Sequence, residues 1–513
     1  MTDSIKLSKQ PDARAGETHV DVLIVGAGIS GIGTAWHLQR FCPDRTFTIL
    51  EARDAIGGTW DLFRYPGIRS DSDMYTLGYS FEPWTDCKAI ADGPSILAYV
   101  NRVADKYDIR RSIRFNHQVI RASFDIKTAR WTVEVERSDT RETTTLTADW
   151  VHMCSGYYDY REPYLPNFPG TDRFGGRFFH AQFWPEELDY QDKRVVVIGS
   201  GATAVTIVPE LAKGGAAHVT MLQRSPTYMV SRPAVDKGAN RLRGMLGDKA
   251  SYGVVRWRNV LMQQLFFQLA RRRPELMKGL IRKGLMKELP PDYEIETHFN
   301  PAYNPWDQRL CLVPDADLFA SIRSGSAEVV TDTIETFTEG GIKLASGREL
   351  DADIIVAATG LKLQMAGNVA FEVDGKGQEL GRTMTYRGMM FSDVPNLSYS
   401  FGYTNASWTL KADLSSGYLC RLLNHMKAKG MRLAVPRRQA DVQEKPFLDF
   451  TSGYVQRARA ILPKQGDRAP WKLYQNYALD MASLKLGKVE DGVMEFRRTV
   501  AEPPARSLTK EVA

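Results

Sequence analysis

Cysteine is scarce in this sequence, and its residues are never grouped. The five cysteines, Cys42, Cys87, Cys154, Cys311 and Cys420, are scattered, and none belongs to a C-x-x-C pair. This pattern argues against a disulfide scaffold, a zinc site and a dithiol redox centre. Free thiols are typical of a reducing cytoplasm, which is the location we expect.

Long apolar runs and tandem repeats are also missing. No run of 18 apolar residues occurs, so we expect no transmembrane helix. Residues 1–19 are polar and lack the apolar centre of a signal peptide, which suggests a flexible lead. No repeat of 20–50 residues is present, which excludes solenoids and propellers.

Acidic residues are few in one segment, residues 237–290. This segment has 13 Lys and Arg against 3 Asp and Glu, a local net charge of +10 in a chain of +6, so that the remainder carries −4. Two readings stay open: a solvated helical face, or a face that meets a membrane surface or an acidic partner. We expect no nucleic acid, because no recognition motif accompanies the charge.

Two glycine-rich loops are the strongest positive signal. VDVLIVGAGISGIGTAWHLQRF and KRVVVIGSGATAVTIVPELAKG each read as a buried strand, a glycine turn and a helix, the opening of a dinucleotide-binding unit. Their glycines begin 173 residues apart, at Gly26 and Gly199. This spacing predicts an α/β chain with two separate Rossmann-like domains.

The first loop has the spacing Gly26-x-Gly28-x-x-Gly31, and Glu51 follows Gly31 by twenty residues. The glycines allow a tight turn and close approach to a pyrophosphate at a helix N-terminus. A carboxylate at the position of Glu51 accepts hydrogen bonds from ribose hydroxyls and repels a ribose phosphate. Gly57-Gly58 would let the backbone pass beside the same ligand.

The second loop has the spacing Gly199-x-Gly201-x-x-Ala204, and here a base, Arg224, lies twenty residues further on. An arginine offers a planar fork to a phosphate, and Ser225 adds a hydroxyl. Two sites of opposite ribose chemistry need two cofactors. FAD in the first site and NADPH in the second is the economical pairing.

The order of these motifs predicts a discontinuous organisation. After the lead at 1–19, the FAD domain takes 20–155 and 384–513, the NADPH domain takes 156–232 and 305–383, and 233–304 is a helical insertion in the NADPH domain. Hinges are expected near 156–185 and 362–385, since NADPH must both reduce the flavin and stay bound. Residues 327–360 predict a meander that ends in a buried strand, DIIVAATG.

Between the loops lies FGGRFFHAQFWP, residues 174–185, with Phe174, Gly176, His180, Trp184 and Pro185 at fixed spacing. It resembles the F-x-G-x-x-x-H-x-x-x-W-[PD] signature of type I Baeyer–Villiger monooxygenases. GGTWDLFRYPGIRSDSDMYTLG, YNPWDQRLCLVP and GYTNASWTLKADL extend the likeness over nearly the whole chain, in particular to the mycobacterial ethionamide-activating subgroup and its bacterial relatives.

The resemblance implies a role for several residues. Asp71 would be the active-site acid and Arg309 the active-site arginine, although Asp73 competes with Asp71 when only the residues are considered. Gln308 stands where many relatives have a lysine for the NADPH phosphate, which loosens the expected NADPH preference. Trp408 is a candidate wall residue of the substrate pocket. The implied FAD contacts are Ser30, Glu51, Thr59, Trp60, Asp61, Leu62, Asp71 and Val119, and the implied NADP contacts are Arg69, Ser70, Ser200, Gly201, Ala202, Thr203, Arg224 and Ser225.

The resemblance also implies the chemistry. NADPH reduces FAD, dioxygen forms a peroxyflavin, and this attacks a ketone to give an ester or lactone, with sulfides and thioamides as further substrates. A fixed cation at Arg309 would stabilise the negative oxygen, and Asp71 would orient it. Three alternatives share parts of the pattern: an N- or S-oxidising flavin monooxygenase, a disulfide reductase without its C-x-x-C, and a flavin-bound sensor without turnover.

Overall fold

The computed structural model describes residues 18–308 and 310–498 of the chain. The lead expected at 1–19 lies almost wholly outside these residues, and so does the polar tail beyond Pro503. Arg309, the proposed active-site arginine, also lies outside the described residues. Its neighbours Gln308 and Leu310 are both half-buried.

In the described part of the chain, eleven strands form the larger sheet. The strand of the first glycine loop, His19–Val25, pairs in parallel with Phe47–Leu50 on one side and Thr143–Met153 on the other. Helix Ile29–Phe41 follows the loop and packs against helix Trp408–Lys429. The predicted dinucleotide-binding unit is therefore confirmed here. The other strands are Ile113–Arg114, His117–Asp125, Arg130–Arg137, Ala370–Val373, Lys376–Gln378, Thr385–Tyr386, Met390–Phe391 and Leu397–Tyr399.

The second sheet has five parallel strands within the described residues. The strand of the second glycine loop is followed by helix Ala202–Lys213, as predicted. The meander is also confirmed, as Ile334–Thr338, Gly341–Leu344 and Glu349–Asp351, and the buried strand Ile354–Ala357 follows it. In spatial order the sheet contains Ala327–Thr331, His218–Gln223, Arg194–Ile198, Ile354–Ala357 and Arg177–His180.

The two segments expected to be hinges are more structured than predicted. Tyr158–Pro163 pairs in antiparallel fashion with Leu361–Leu363, so the two segments that connect the sheets are hydrogen-bonded to each other. Arg177–His180, expected in a linker, is an edge strand of the second sheet. Ala370–Val373 pairs in parallel with His117–Asp125, so the larger sheet takes in residues that were assigned to the NADPH domain up to 383.

The insertion is helical, as predicted, and it bridges the two domains. Its long helix, Lys237–Arg272, bends at Gly247, where φ is 72°. Its short helix, Pro274–Glu288, packs on the second domain through Met277, Ile281 and Leu285. The long helix packs on the first domain over most of its length, where the buried Arg256 Nη1 donates to the carbonyls of Tyr75 and Gly78 at 2.8 Å each, and its C-terminal end packs on the second domain through Ala270.

The remaining elements complete the two domains. Among the described residues, no helix is both long enough and apolar enough to cross a bilayer. The remaining helices longer than one turn of 3-10 helix are Thr59–Leu62, Met74–Leu77, Gly93–Lys106, Ile295–His298, Asp317–Arg323, Gly453–Ala458, Tyr477–Met481 and Ala482–Leu486. The remaining strand pairs are Met229–Arg232 with Cys311–Pro314, Leu433–Pro436 with Met494–Arg497, and Glu444–Pro446 with Lys464–Gly466.

Candidate active site

A cavity of about 1370 Å³ is lined by residues of both domains. Sites for one small molecule usually occupy roughly 300–1,000 Å³, so this cavity has room for a dinucleotide and further ligands. The first glycine loop, the loop RYPGIRSD at residues 64–71, the start of helix Ala202–Lys213 and the stretch 401–408 all contribute to its wall. Segments that are far apart in sequence therefore meet here.

The glycines of the first loop are required by their surroundings. Gly26 has φ 107°, and a Cβ atom there would lie 2.6 Å from the Cys154 carbonyl oxygen. A Cβ atom on Gly31 would lie 1.9 Å from the Gly26 carbonyl oxygen. Gly28 and Gly58 differ, because they face each other across the cavity wall, with the ideal Cβ of Gly28 3.7 Å from the Gly58 Cα. This bare backbone is a cradle that fits a pyrophosphate.

Glu51 is almost fully buried, with 6% of its surface exposed, and it lines the cavity. Its two carboxylate oxygens accept the backbone N–H groups of Ala27 at 2.7 Å and Arg53 at 3.0 Å. Burial raises its pKa, although these two hydrogen bonds act in the opposite direction. Each oxygen keeps a further lone pair, so the carboxylate can still accept a ribose hydroxyl.

Most of the other expected FAD contacts also line the cavity. Ser30, Thr59, Trp60, Leu62 and Val119 do so. Asp61 does not line the cavity: it is buried and pairs with Arg53, whose Nη2 lies 2.5 Å from Asp61 Oδ2.

The structure separates the two competing aspartates. Asp73 is buried and caps the helix Met74–Leu77. Its carboxylate accepts hydrogen bonds from the Thr76 N–H and hydroxyl, from Asn259 Nδ2 at 2.8 Å and from Gln263 Nε2 at 3.0 Å. Asp71 is exposed and lines the cavity. Asp73 is therefore a structural residue, and Asp71 is the aspartate that faces the cavity.

The RYPGIRSD loop reaches the second domain at the edge of the cavity. The Arg69 guanidinium pairs with Asp317, with Nη2 3.3 Å from Oδ1, at the start of helix Asp317–Arg323. Tyr65 lies close to Thr203 and Asp71, and its burial raises its pKa to about 12. Ser70 is buried and also lines the cavity.

The second glycine loop has the same local geometry as the first. Gly199 has φ 141°, and its Cβ atom would lie 2.4 Å from the Ala358 carbonyl oxygen. Gly201 has no heavy atom within 4 Å of its ideal Cβ, so its face is open to a ligand. Ala202 and Thr203 line the cavity, whereas Ala204 is buried against the sheet.

The predicted phosphate-binding residues lie at the end of the next strand. Arg224 and Ser225 are exposed directly after His218–Gln223, and Arg224 forms no ion pair with any described residue. Ser200 Oγ lies 2.9 Å from Thr227 Oγ1 and donates to the Ser225 carbonyl at 3.2 Å, which ties this turn to the glycine loop. An unpaired guanidinium beside a glycine loop fits a ribose phosphate.

The five signature residues do not line the cavity. A Cβ atom on Gly176 would lie 2.3 Å from the Asp353 carbonyl oxygen, which explains the glycine. His180 ends the edge strand, its Nδ1 accepts the Gln182 N–H at 3.1 Å, and burial lowers its pKa to about 4. Phe174 is buried in the second-domain core, Trp184 meets Phe179 edge-on at 5.3 Å, and Pro185 follows it. The signature therefore belongs to the framework of the second domain.

An aromatic wall of the cavity was not predicted from the sequence, apart from Trp408. Trp408 stacks on Tyr157 with ring centroids 5.1 Å apart and an interplanar angle of 9°. Its Nε1 donates to Ser30 Oγ at 2.7 Å, which fixes the indole against the first glycine loop. Phe401 and Tyr403 continue this wall. The run YYDY at residues 157–160, within an expected hinge, could have indicated the Tyr157 part of this wall.

The fold and the two glycine loops are those of a flavoprotein with two dinucleotide-binding domains. Comparisons with known proteins support this class. Residues 19–366 match the family model "Flavin-binding monooxygenase-like". The chain belongs to this family of enzymes, as the resemblance implied.

Individual relatives cover almost the whole chain. The chain is 54% identical over 484 residues to the FAD-containing monooxygenase EthA of Mycobacterium tuberculosis. This alignment covers 94% of this chain and 99% of EthA. It is 48% identical over 482 residues to the probable FAD-binding monooxygenase AlmA of Acinetobacter baylyi, with 94% and 96% covered. The chain therefore falls in the subgroup expected from its sequence.

Solved structures confirm the fold class. A steroid monooxygenase bound to NADP superposes with a TM-score of 0.73 at 23% identity, over 93% of this chain and 99% of the other. An open structure of cyclohexanone monooxygenase gives a TM-score of 0.73 at 22% identity, with the same coverage.

Proposed function

We propose that this enzyme is an FAD- and NADPH-dependent Baeyer–Villiger monooxygenase. It would insert one oxygen atom of dioxygen into ketones to give esters or lactones, and would also oxygenate sulfides and thioamides. One observation carries the proposal: the first glycine loop, Asp71 and the start of the helix that follows the second glycine loop all line the same cavity. Two nucleotide cofactors and a small substrate can therefore meet there.

The first domain would hold FAD. Gly28 and Gly58 would accommodate its pyrophosphate, Glu51 would accept a ribose hydroxyl, and Val119, which lines the same cavity, would contact the adenine. When bound, a reduced flavin supplies the activation of dioxygen. The protein then has to bind, orient and shelter the reactants.

The second domain would hold NADPH. The open face of Gly201 and the N-terminus of helix Ala202–Lys213 would bind its pyrophosphate, and Arg224 with Ser225 would bind its ribose phosphate. With Gln308 in place of a second cation, phosphate recognition depends mainly on Arg224. Arg69 pairs with Asp317 at the cavity edge and would approach the nicotinamide half from there.

Arg309 and Asp71 would stabilise the negative charge that develops at the reaction centre. Negative charge develops on oxygen during attack on a ketone, and a fixed cation stabilises it best in a site that excludes water. An arginine stays protonated and donates hydrogen bonds without giving up its proton. Asp71, exposed to the cavity, would orient this cation, and the aromatic wall around Trp408 would keep water away.

The test is turnover of a panel of ketones and sulfides, with products identified by mass spectrometry. The proposal predicts ketone-dependent NADPH oxidation and an ester from the ketone. An N- or S-oxidising flavin monooxygenase would give only N-oxides or sulfoxides, and a sensor would show no substrate-dependent NADPH oxidation. Either of these outcomes would contradict the proposal.

The location belongs to the same proposal. The enzyme would act in the cytoplasm, in peripheral contact with a membrane through its basic insertion. The support is the net charge of +10 on residues 237–290.

A further inference from the structure

The insertion carries an apolar surface that the described residues leave about half exposed. Ten of the sixteen large apolar side chains that are exposed in the described chain lie within residues 237–288. We call the exposed side of the two insertion helices beyond the bend at Gly247 the outer face. Its apolar members are 44–63% exposed: Val254, Trp257, Leu261, Met262, Leu265, Leu276, Leu280 and Met286.

The outer face is a continuous stripe on the long helix. Val254, Trp257, Leu261 and Leu265 follow one another at steps of three or four residues, which places them on one side. The opposite side of the same helix is buried, and it includes Val255 and Val260. A helix that is apolar on both sides is normally buried, so an uncovered side of this kind marks a docking surface.

Basic residues stand among these apolar ones. On the short helix, Lys283 and Lys287 continue the row of Leu276 and Leu280 at steps of three and four residues. Arg272 extends the stripe of the long helix. These three side chains are exposed and form no ion pair with any described residue.

The charge selects among possible occupants of the outer face. In a symmetric dimer the same surface meets itself, so like charges would face each other across the contact. An anionic lipid surface attracts the same cations, and apolar side chains between lysines and arginines enter the boundary between headgroups and acyl chains. Trp257 is suited to this boundary because its ring is amphipathic.

We infer that the outer face docks on an anionic lipid bilayer, and that the substrates are ketones or sulfides dissolved in that bilayer. The inference about the substrates rests on the proposed function. Its structural support is the buried side of the long helix, where Val260 packs with Tyr403, a residue of the cavity wall. The bilayer would then lie about one helix diameter, 10–12 Å, from that wall.

Co-sedimentation of the FAD-loaded enzyme with vesicles tests the docking. We expect binding to phosphatidylcholine vesicles that contain phosphatidylglycerol, weaker binding at high salt, and no binding to phosphatidylcholine alone. The pair Lys283→Gln and Lys287→Gln should weaken binding roughly 25-fold, at about 1 kcal/mol or fivefold for each charge. The pair Leu261→Glu and Leu265→Glu should abolish it. Ile461→Glu is the control, since Ile461 is 42% exposed outside the insertion.

Three outcomes would overturn the docking: no binding to either vesicle, equal binding to both, or an oligomer in solution that Leu261→Glu and Leu265→Glu dissociate. The last would mean that a second copy covers the outer face. If the leucine variants lose FAD or fold poorly, the lysine pair decides the question.

Turnover separates this inference from the proposed function. A water-soluble ketone assayed without vesicles tests oxygenation alone, and the outer-face variants should turn it over at the wild-type rate. For a long-chain ketone supplied in anionic vesicles, the variants should lose at least as much activity as they lose binding. Equal activity of variants and wild type on the lipid-dissolved ketone would refute the substrate class.

Discussion

Two aspartates in the SDSDMY segment are expected to respond differently when each is replaced by alanine. Asp73 is 1% exposed, and its carboxylate accepts four hydrogen bonds, two from Thr76 and one each from Asn259 and Gln263. Asp71 is exposed to the cavity. Asp73→Ala should therefore reduce stability, whereas Asp71→Ala should reduce oxygenation.

The size of the stability loss follows from these contacts. Removing a helix N-cap costs about 1 kcal/mol. The Asn259 amide would lose a buried acceptor, at about 1–3 kcal/mol, whereas the half-buried Gln263 amide keeps a second acceptor, Thr76 Oγ1, at 3.3 Å. The sum is about 2–4 kcal/mol, and at about 1–2 °C for each kcal/mol in a unit of this size the melting temperature should fall by at least about 2 °C. Asp71→Ala should cost under about 1 kcal/mol, as is usual for an exposed charge.

Flavin fluorescence during heating measures the melting temperature, and ester formation from a ketone measures oxygenation. Asp71→Ala should melt close to wild type and lose roughly 100-fold in ester formation, because the charge around the reacting oxygen is no longer organised. Ser72→Ala, between the two aspartates, is the matched control and should change neither quantity. Melting unchanged in Asp73→Ala, together with full ester formation in Asp71→Ala, would refute the assignment.

Four further changes have defined outcomes. Arg224→Ala should raise KM for NADPH about tenfold or more and leave KM for NADH unchanged, since a charged hydrogen bond is worth about 1.5–3 kcal/mol; equal changes for both cofactors would count against a phosphate site. Arg309→Ala should keep NADPH-driven flavin reduction and lose the ester, so wild-type ester yield would remove its role. Gly28→Val should fold but bind FAD weakly, which equilibrium dialysis measures, and unchanged affinity would exclude the cradle. Burial lowers the pKa of His180 to about 4 and that of His152 to about 3, so the unfolded chain binds more protons than the folded chain between those values and about 6.5. Stability should therefore decrease as the pH is lowered through this window, by about 1.4 kcal/mol per pH unit for each histidine, and a melting temperature that is flat from pH 7 to 5 would contradict this.

The glycine loops, the insertion and the meander could be predicted because their signals are local. Spacing within a loop determines the turn, and the residue twenty positions later determines the ribose chemistry. Helical periodicity and turn glycines are likewise read over a few residues. For this reason Gly26, Gly199 and the strand Ile354–Ala357 were predicted at their correct places.

What could not be predicted depends on partners that are distant in sequence. Two of the four hydrogen bonds that hold Asp73 come from Asn259 and Gln263, which lie 186 and 190 residues away. The strand pairing within the expected hinges could not be predicted for the same reason, because the partner of Tyr158–Pro163 lies some 200 residues later. Asp61, expected at the flavin, is instead held by Arg53.

Labelling with ¹⁸O₂ tests the central claim most directly. The purified enzyme would be given NADPH, a ketone and ¹⁸O₂, and the product would be analysed by mass spectrometry. Our account predicts an ester that contains one ¹⁸O atom, inserted beside the former carbonyl carbon, and one NADPH consumed for each ester. NADPH oxidation that yields only hydrogen peroxide, or an ester without the label, would contradict it.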